Sequence, residues 1–233
     1  MNADQTQSGS DDRMSDTTLV TASTPGELSS LEAAIMDACN ELHDARAQRD
    51  AGRTEAIRVK LFKLIDRYDE TDGDNHPNAA WARPNQRALA LSAAGRINQA
   101  ISAEEIALKY ADNDRRREIS LDNLADRCIR AGRYEEAVSY FLQAVEVAPN
   151  SVPVLMTGAQ ALYFAGMTDE ADGIFAALLG DPAQLDPRGP LGAYLDCEER
   201  LFAMADRLPS LRALYKAWSR VKSGLKPELG GAS

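Results

Sequence analysis

The chain has 233 residues, 44% of them apolar, and its acids outnumber its bases to a net charge of −10. That balance argues against a nucleic-acid binder, because phosphate contacts need Lys and Arg along the working face, and no run of about 18 apolar residues is present to span a membrane. Alanine and leucine dominate the apolar set and alternating Val/Ile/Thr runs are absent, so the expected fold class is all-α.

Residues 1–23 are rich in Asp, Ser, Thr, Gln and Asn, a composition that cannot offset the entropy of ordering itself, and a disordered tail is expected there. Asp4, Asp11, Asp12 and Asp16 with no apolar core segment leave no secretory signal. Order is expected to begin at Thr24-Pro25-Gly26-Glu27, which reads as a capping box. Leu28, Leu31, Ile35, Ala38 and Leu42 then mark a helix to about Asp50, ended by Gly52. A second helix from about Thr54 carries Ile57, Leu61, Leu64, Ile65 and Tyr68 on one side, so 24–80 forms an N-terminal hairpin closed by the loop Asp72–Pro77.

A further hairpin is expected from about Pro84 to Ala111, turning at Gly95. The next two stretches repeat at a period of 34 residues: Gly132, Tyr134, Ala137, Phe141 and Ala144 are answered by Gly166, Thr168, Ala171, Phe175 and Leu178. After a proline-rich break at 181–190, Leu191, Tyr194, Leu195, Leu201 and Phe202 mark one helix. Leu211, Leu214, Tyr215, Trp218 and Val221 mark another, and together they give capping helices over 190–225. The coarse expectation is about ten helices in five hairpins.

The copies at 118–151 and 152–181 resemble tetratricopeptide repeats. Leu121, Leu124, Ala125 and Cys128 stand where that family's first helix packs, and Gly132-Arg133-Tyr134-Glu135-Glu136-Ala137 is similar to its turn. Phe141, Ala144 and Pro149 complete the copy. The second copy keeps Leu155, Gly158, Ala159, Leu162, Gly166, Ala171 and Phe175 but lacks the tyrosine and the final proline. Over 81–117 Glu104 holds the place of the aromatic. Residues 26–80 and 190–225 are helical by periodicity alone, as diverged repeats or as caps. The resemblance implies a solenoid of helical hairpins, non-enzymatic, that binds a segment of another protein in its concave groove as an adaptor or partner-specific chaperone.

In that family the first helix of each pair lines the groove. The matching positions put Asp122, Asn123, Asp126, Ile129 and Arg130 beside Met156, Gln160, Tyr163 and Phe164, a part-acidic, part-apolar surface suited to an amphipathic or extended segment with basic residues. The plainer alternative pairs Asp126 with Arg130 one turn apart and leaves Phe164 covering a neighbour. Some members grip a C-terminal carboxylate with cations across three repeats; only Asn123 agrees here, and Pro153 and Thr157 stand where a cation is needed.

Other chemistry finds little footing. The chain has only His43 and His76 and no phosphate-binding or nucleophile motif. Cys39 and His43 share a helix face with Met36, two ligands where a closed metal site wants four. The acidic stretch Asp69–Asp74 fails both registers of a calcium loop. No cofactor or metal is therefore expected. Cys39, Cys128 and Cys197 form no CxxC pair, which suits a reducing compartment and an expected cytoplasmic address. The C-terminal segment is a basic amphipathic helix with Arg207, Arg212, Lys216, Arg220, Lys222 and Lys226. Its cations either complement the acidic 151–206 region while its apolar side closes the last hairpin, or serve an acidic protein, an anionic membrane or RNA.

Overall fold

The structure, a computed structural model, describes residues 26–224 except 72, 74, 75 and 187. The expected tail at 1–23 and the cap at Thr24 lie outside the described residues. Eleven α-helices and no strand are found among the rest: α1 Glu27–Ala47, α2 Ala51–Glu70, α3 Ala79–Ala93, α4 Ile97–Lys109, α5 Asp114–Arg130, α6 Tyr134–Val147, α7 Val152–Phe164 and α8 Thr168–Gly180. A 3-10 turn at Pro182–Leu185 leads to α9 Leu191–Cys197, α10 Glu199–Met204 and α11 Pro209–Lys222. The all-α expectation holds. The first eight helices pair as antiparallel hairpins, each packed on the one before, and α11 packs on α8.

One turn recurs at each reversal. Gly132 stands at φ 74 past the end of α5. Its N–H donates to Ile129 O at 3.0 Å, and the N–H of Arg133 donates to Cys128 O at 2.9 Å, satisfying carbonyls the helix end leaves open. Gly95 and Gly166 repeat this geometry at φ 83 and φ 85. At the first reversal the same role falls to Arg49, at φ 55, with Asp50 N–H on Ala45 O at 3.0 Å.

That substitution moves the boundaries expected there. The helix α1 ends at Ala47 rather than near Asp50, because Asp50 is already the N-cap of α2, its carboxylate accepting from the Arg53 N–H at 2.9 Å. Gly52, expected to end the first helix, lies inside the second. The N-cap of α1 is Gly26, which has no side chain to cap with, and Glu27 pairs instead with Arg67 at 2.7 Å. Pro84, expected near the start of α3, sits within it; Asn78 sets the start by accepting from the Trp81 N–H at 3.0 Å.

Within and between hairpins the spacing is set by small residues. Ala125, Ala137, Ala159 and Ala171 are all buried where paired helices touch. Phe141 lies against Gly158 so closely that a Cβ there would stand 2.1 Å from the ring. Gly192, one period further on, receives Trp218 in the same way, with its would-be Cβ 2.5 Å from the indole. The repeat thus reaches into α9. It breaks at Glu198, whose extended backbone and capping carboxylate split the single expected helix into α9 and α10, and this is why eleven helices are found instead of about ten.

Glu104, at the aromatic position of its copy, is fully buried. It accepts from Arg127 Nη1 at 2.7 Å and from Asn85 Nδ2 at 2.9 Å. Arg127 comes from the next hairpin, so an ion pair fills the gap that Phe141 fills elsewhere. Breaking a buried pair strands one charge, whereas replacing both partners by apolar groups leaves none. Arg127→Met alone is therefore expected to destabilise the fold by about 3–5 kcal/mol, and Arg127→Met with Glu104→Leu to recover most of that loss. Chemical denaturation of the three proteins checks it.

Candidate protein-interaction groove

The C-terminus of α3 is the anchor of the inner surface. Its carbonyls carry the negative end of the helix dipole and have no intrahelical donors. Arg46 Nη2 donates to Ala93 O at 2.8 Å, Arg58 Nε to Ala94 O at 3.2 Å, and Arg130 Nη1 and Nη2 to Ser92 Oγ at 2.5 Å and Ser92 O at 3.1 Å. Three arginines from α1, α2 and α5 thereby converge on one helix end. Burial, reinforced by repulsion from Arg130 and Arg58, holds Arg46 below the usual arginine range. Arg130 thus bonds to α3 and not to Asp126, which removes the plain one-turn pairing within α5.

Asp126 is taken by Arg200 of α10, whose Nη2 donates to Oδ1 at 2.6 Å. Arg200 Nε also donates to Glu198 at 2.9 Å. Burial opposes the charge on Arg200, yet its bonds to Glu198 and Asp126 prevail and raise its pKa. Around this pair lies a cavity of about 630 Å³ lined by His43, Arg46 and Ala47 of α1, Asp126 and Arg130 of α5, and Cys197–Arg200. Of the residues expected at the site, it brings together only Asp126 and Arg130.

The others are placed differently. Met156 and Gln160, expected to face a partner, are 0% and 1% exposed. Met156 packs in one core cluster with Leu191, Leu195, Leu201 and Met204, so α9 and α10 cover the face of α7 that was to line the groove. Gln160 Nε2 turns back to Met156 O at 3.1 Å, and its Oε1 has no partner. Tyr163 is half-buried, edge-on to Phe164 at 5.4 Å, and Phe164 in turn stacks on Tyr134 at 5.6 Å. Ile129 is buried, and Asn123 is half-buried on α5.

Asp122 is half-buried, close enough to Tyr194 of α9 for its charge to act on it. Its Oδ1 is buried without a partner. Burial pushes its carboxyl up to about 6; Asp126 and Glu118 push the same way, while a hydrogen bond from Thr157 and the charge of Arg115 oppose. Tyr194, which also engages Thr157, is raised by burial and then by Asp122, Asp126 and Glu198.

Elsewhere, His43 lines the cavity while Cys39 is half-buried and packs on the core of α1–α3. Asp69 pairs with Arg87 at 2.8 Å, and Asp72 and Asp74 lie outside the described residues. Among the described residues no group of three or more His, Cys, Asp or Glu could hold a metal, and no helix is long and apolar enough to cross a membrane. The sequence reading missed His43, Arg46, Tyr194, Glu198 and Arg200. The one available signal was Arg200 itself, a lone cation between Glu198, Glu199 and Asp206.

Residues 119–151, nearly all of the α5–α6 hairpin, match the tetratricopeptide repeat family. Together with the hairpin array this shows a tetratricopeptide-like all-α fold, the match to that family being confined to this one segment. Neither the curated proteins nor the solved structures searched contain a significant match to the chain.

Because the carboxyl of Asp122 titrates higher in the fold than in the unfolded chain, its neutral form is the stabilising one. That contribution is full below about pH 4 and is lost as pH rises through about 6. Asp122→Asn removes the buried charge. Its stability relative to the parent is expected to rise between pH 4 and pH 7, by on the order of 2 kcal/mol, and to change little above that. Denaturation midpoints across that range provide the check.

Proposed function

We propose that the chain is a non-enzymatic protein-interaction module, an adaptor or partner-specific chaperone, acting in the cytoplasm. The observation that carries this reading is the charged cavity on the inner face, bounded by α1, α5 and the α9–α10 junction. It lies on a hairpin array that includes a tetratricopeptide segment, a repeat suited to holding a partner segment. The cavity walls bear Arg46 and Arg130 on one side and Glu198 and Glu199 on the other, so they orient a polar or charged segment more than they bury an apolar one. The expectation of a basic partner rested on open carboxylates at Asp122 and Asp126. With the first half-buried outside the cavity and the second bonded to Arg200, Glu199 remains the exposed acid of the cavity.

Two exposed lining residues allow a test that spares the fold. Ala47→Trp combined with Glu199→Arg fills and recharges the cavity mouth, and such surface changes are expected to alter stability by no more than about 0.5 kcal/mol. Recovery of the partner from native lysate by the tagged chain is expected to fall at least about tenfold, equivalent to about 1.4 kcal/mol of binding. The same partner recovered in full by the double variant would remove the cavity from the interface.

A further inference from the structure

Terminal repeats normally carry a polar outer face, and the end of this array leaves an aromatic ring exposed beside its polar residues. Phe202 of α10 is 51% exposed and stacks on Tyr215 of α11, with ring centroids 5.4 Å apart and planes 21° from parallel. Beside them Leu195, Asp196, Trp218 and Lys222 complete a groove of about 400 Å³. Its floor is fixed: Trp218 seats on Gly192, its Nε1 donates to Asp196 at 3.0 Å, and Lys222 bonds the same carboxylate at 3.0 Å. The Tyr215 hydroxyl is buried and has no partner.

On the adjoining face of α11 lie Arg212, Lys216 and Arg220 at four-residue steps. Of these, Arg212 donates to the carbonyls of Ala205 at 3.3 Å and Asp206 at 2.7 Å, neutral groups that leave its charge uncompensated. Lys216 is exposed and forms no ion pair among the described residues. Arg212 and Lys216 therefore do not answer the acidic 151–206 region, whereas Lys222 pairs with Asp196. An aromatic notch flanked by uncompensated cations is the composition of a binding hot spot.

We propose that this terminal face is a second docking surface, taking an acidic protein segment that inserts one large apolar side chain between the Phe202–Tyr215 pair and Trp218 and lays carboxylates along Arg212 and Lys216. Charge selects a segment over a polymer. A short acidic peptide meets only the basic helix, whereas RNA or an anionic membrane would extend over a body whose net charge is −10. The stacking of Phe202 on Tyr215 also occupies one face of each ring that a nucleobase would use. This surface is separate from the cavity by α1 and stands whether or not that cavity binds a partner.

The probe is a labelled twelve-residue peptide of Asp and Glu with a central phenylalanine, titrated into the full chain by fluorescence anisotropy. Its counterpart carries serine in place of that phenylalanine. The expected result is saturable binding of the first peptide, weakened at least about tenfold by the serine exchange, by Phe202→Ser and by Arg212→Glu with Lys216→Glu, with circular dichroism confirming that each variant is folded. Equal binding of the two peptides, or binding indifferent to Phe202→Ser, would overturn the proposal. So would tighter binding of oligouridylate or of phosphatidylserine vesicles that Phe202→Ser leaves unchanged. A dimer in sedimentation equilibrium that Phe202→Ser dissociates would assign the surface to a second copy of the chain and overturn it equally.

Discussion

The packing of the first eight helices depends on the tight reversal between the two helices of a hairpin. The turn needs a residue at positive φ, and Gly95, Gly132 and Gly166 supply it at no steric cost. Once that geometry is set, alanines bring paired helices close, and the faces that turn inward follow from the 3.6-residue period. Arg49 shows that the geometry, not the glycine, is the constraint: it takes the same conformation at the first reversal despite the strain of a side chain there.

The inner surface that results is held by charge. Three arginines from three helices bond the C-terminal end of α3, and one arginine from α10 crosses to Asp126 of α5. These contacts tie together the first, second, third, fifth and tenth helices, and the cavity lies among the first, the fifth and the junction before the tenth. They also explain why the middle of the array is not an open groove: Tyr194 and Arg200 bring α9 and α10 over α5 and α7, burying Met156 and half-burying Asp126. The aromatic and cationic residues left at the far end of the array form a surface of a different kind. A single chain thus carries a mixed-charge cavity within and a basic, aromatic face at its end.

Much of the fold was legible in the sequence because its causes are local. Gly132, Ala137 and Phe141 recur one period later, and each has one mechanical reason to stand where it does. The failures came from non-local or exceptional causes. Arg49 takes positive φ where no glycine marks the turn, and the nearby Gly52, which the sequence offers as a stop, lies inside α2. Glu198 breaks a helix that the apolar period carries straight through. At the site, position within a repeat put Asp122 and Met156 on the face expected to line a groove, but what covers that face depends on helices about 70 and 40 residues further along the chain, and no repeat pattern encodes their return. Glu104 was visible as the wrong residue for its position. Its explanation, Arg127, lay in the neighbouring hairpin.

The claim on which this account turns is that α10 lies across the inner face of α5 through Arg200 and Asp126. A double-mutant cycle of Asp126→Ala and Arg200→Ala, read by equilibrium denaturation, tests it most directly, because coupling requires contact between residues 74 positions apart. The account predicts a coupling free energy of at least about 0.5 kcal/mol, weakening at high salt. Additive single-variant effects, with no coupling at any ionic strength, would contradict it.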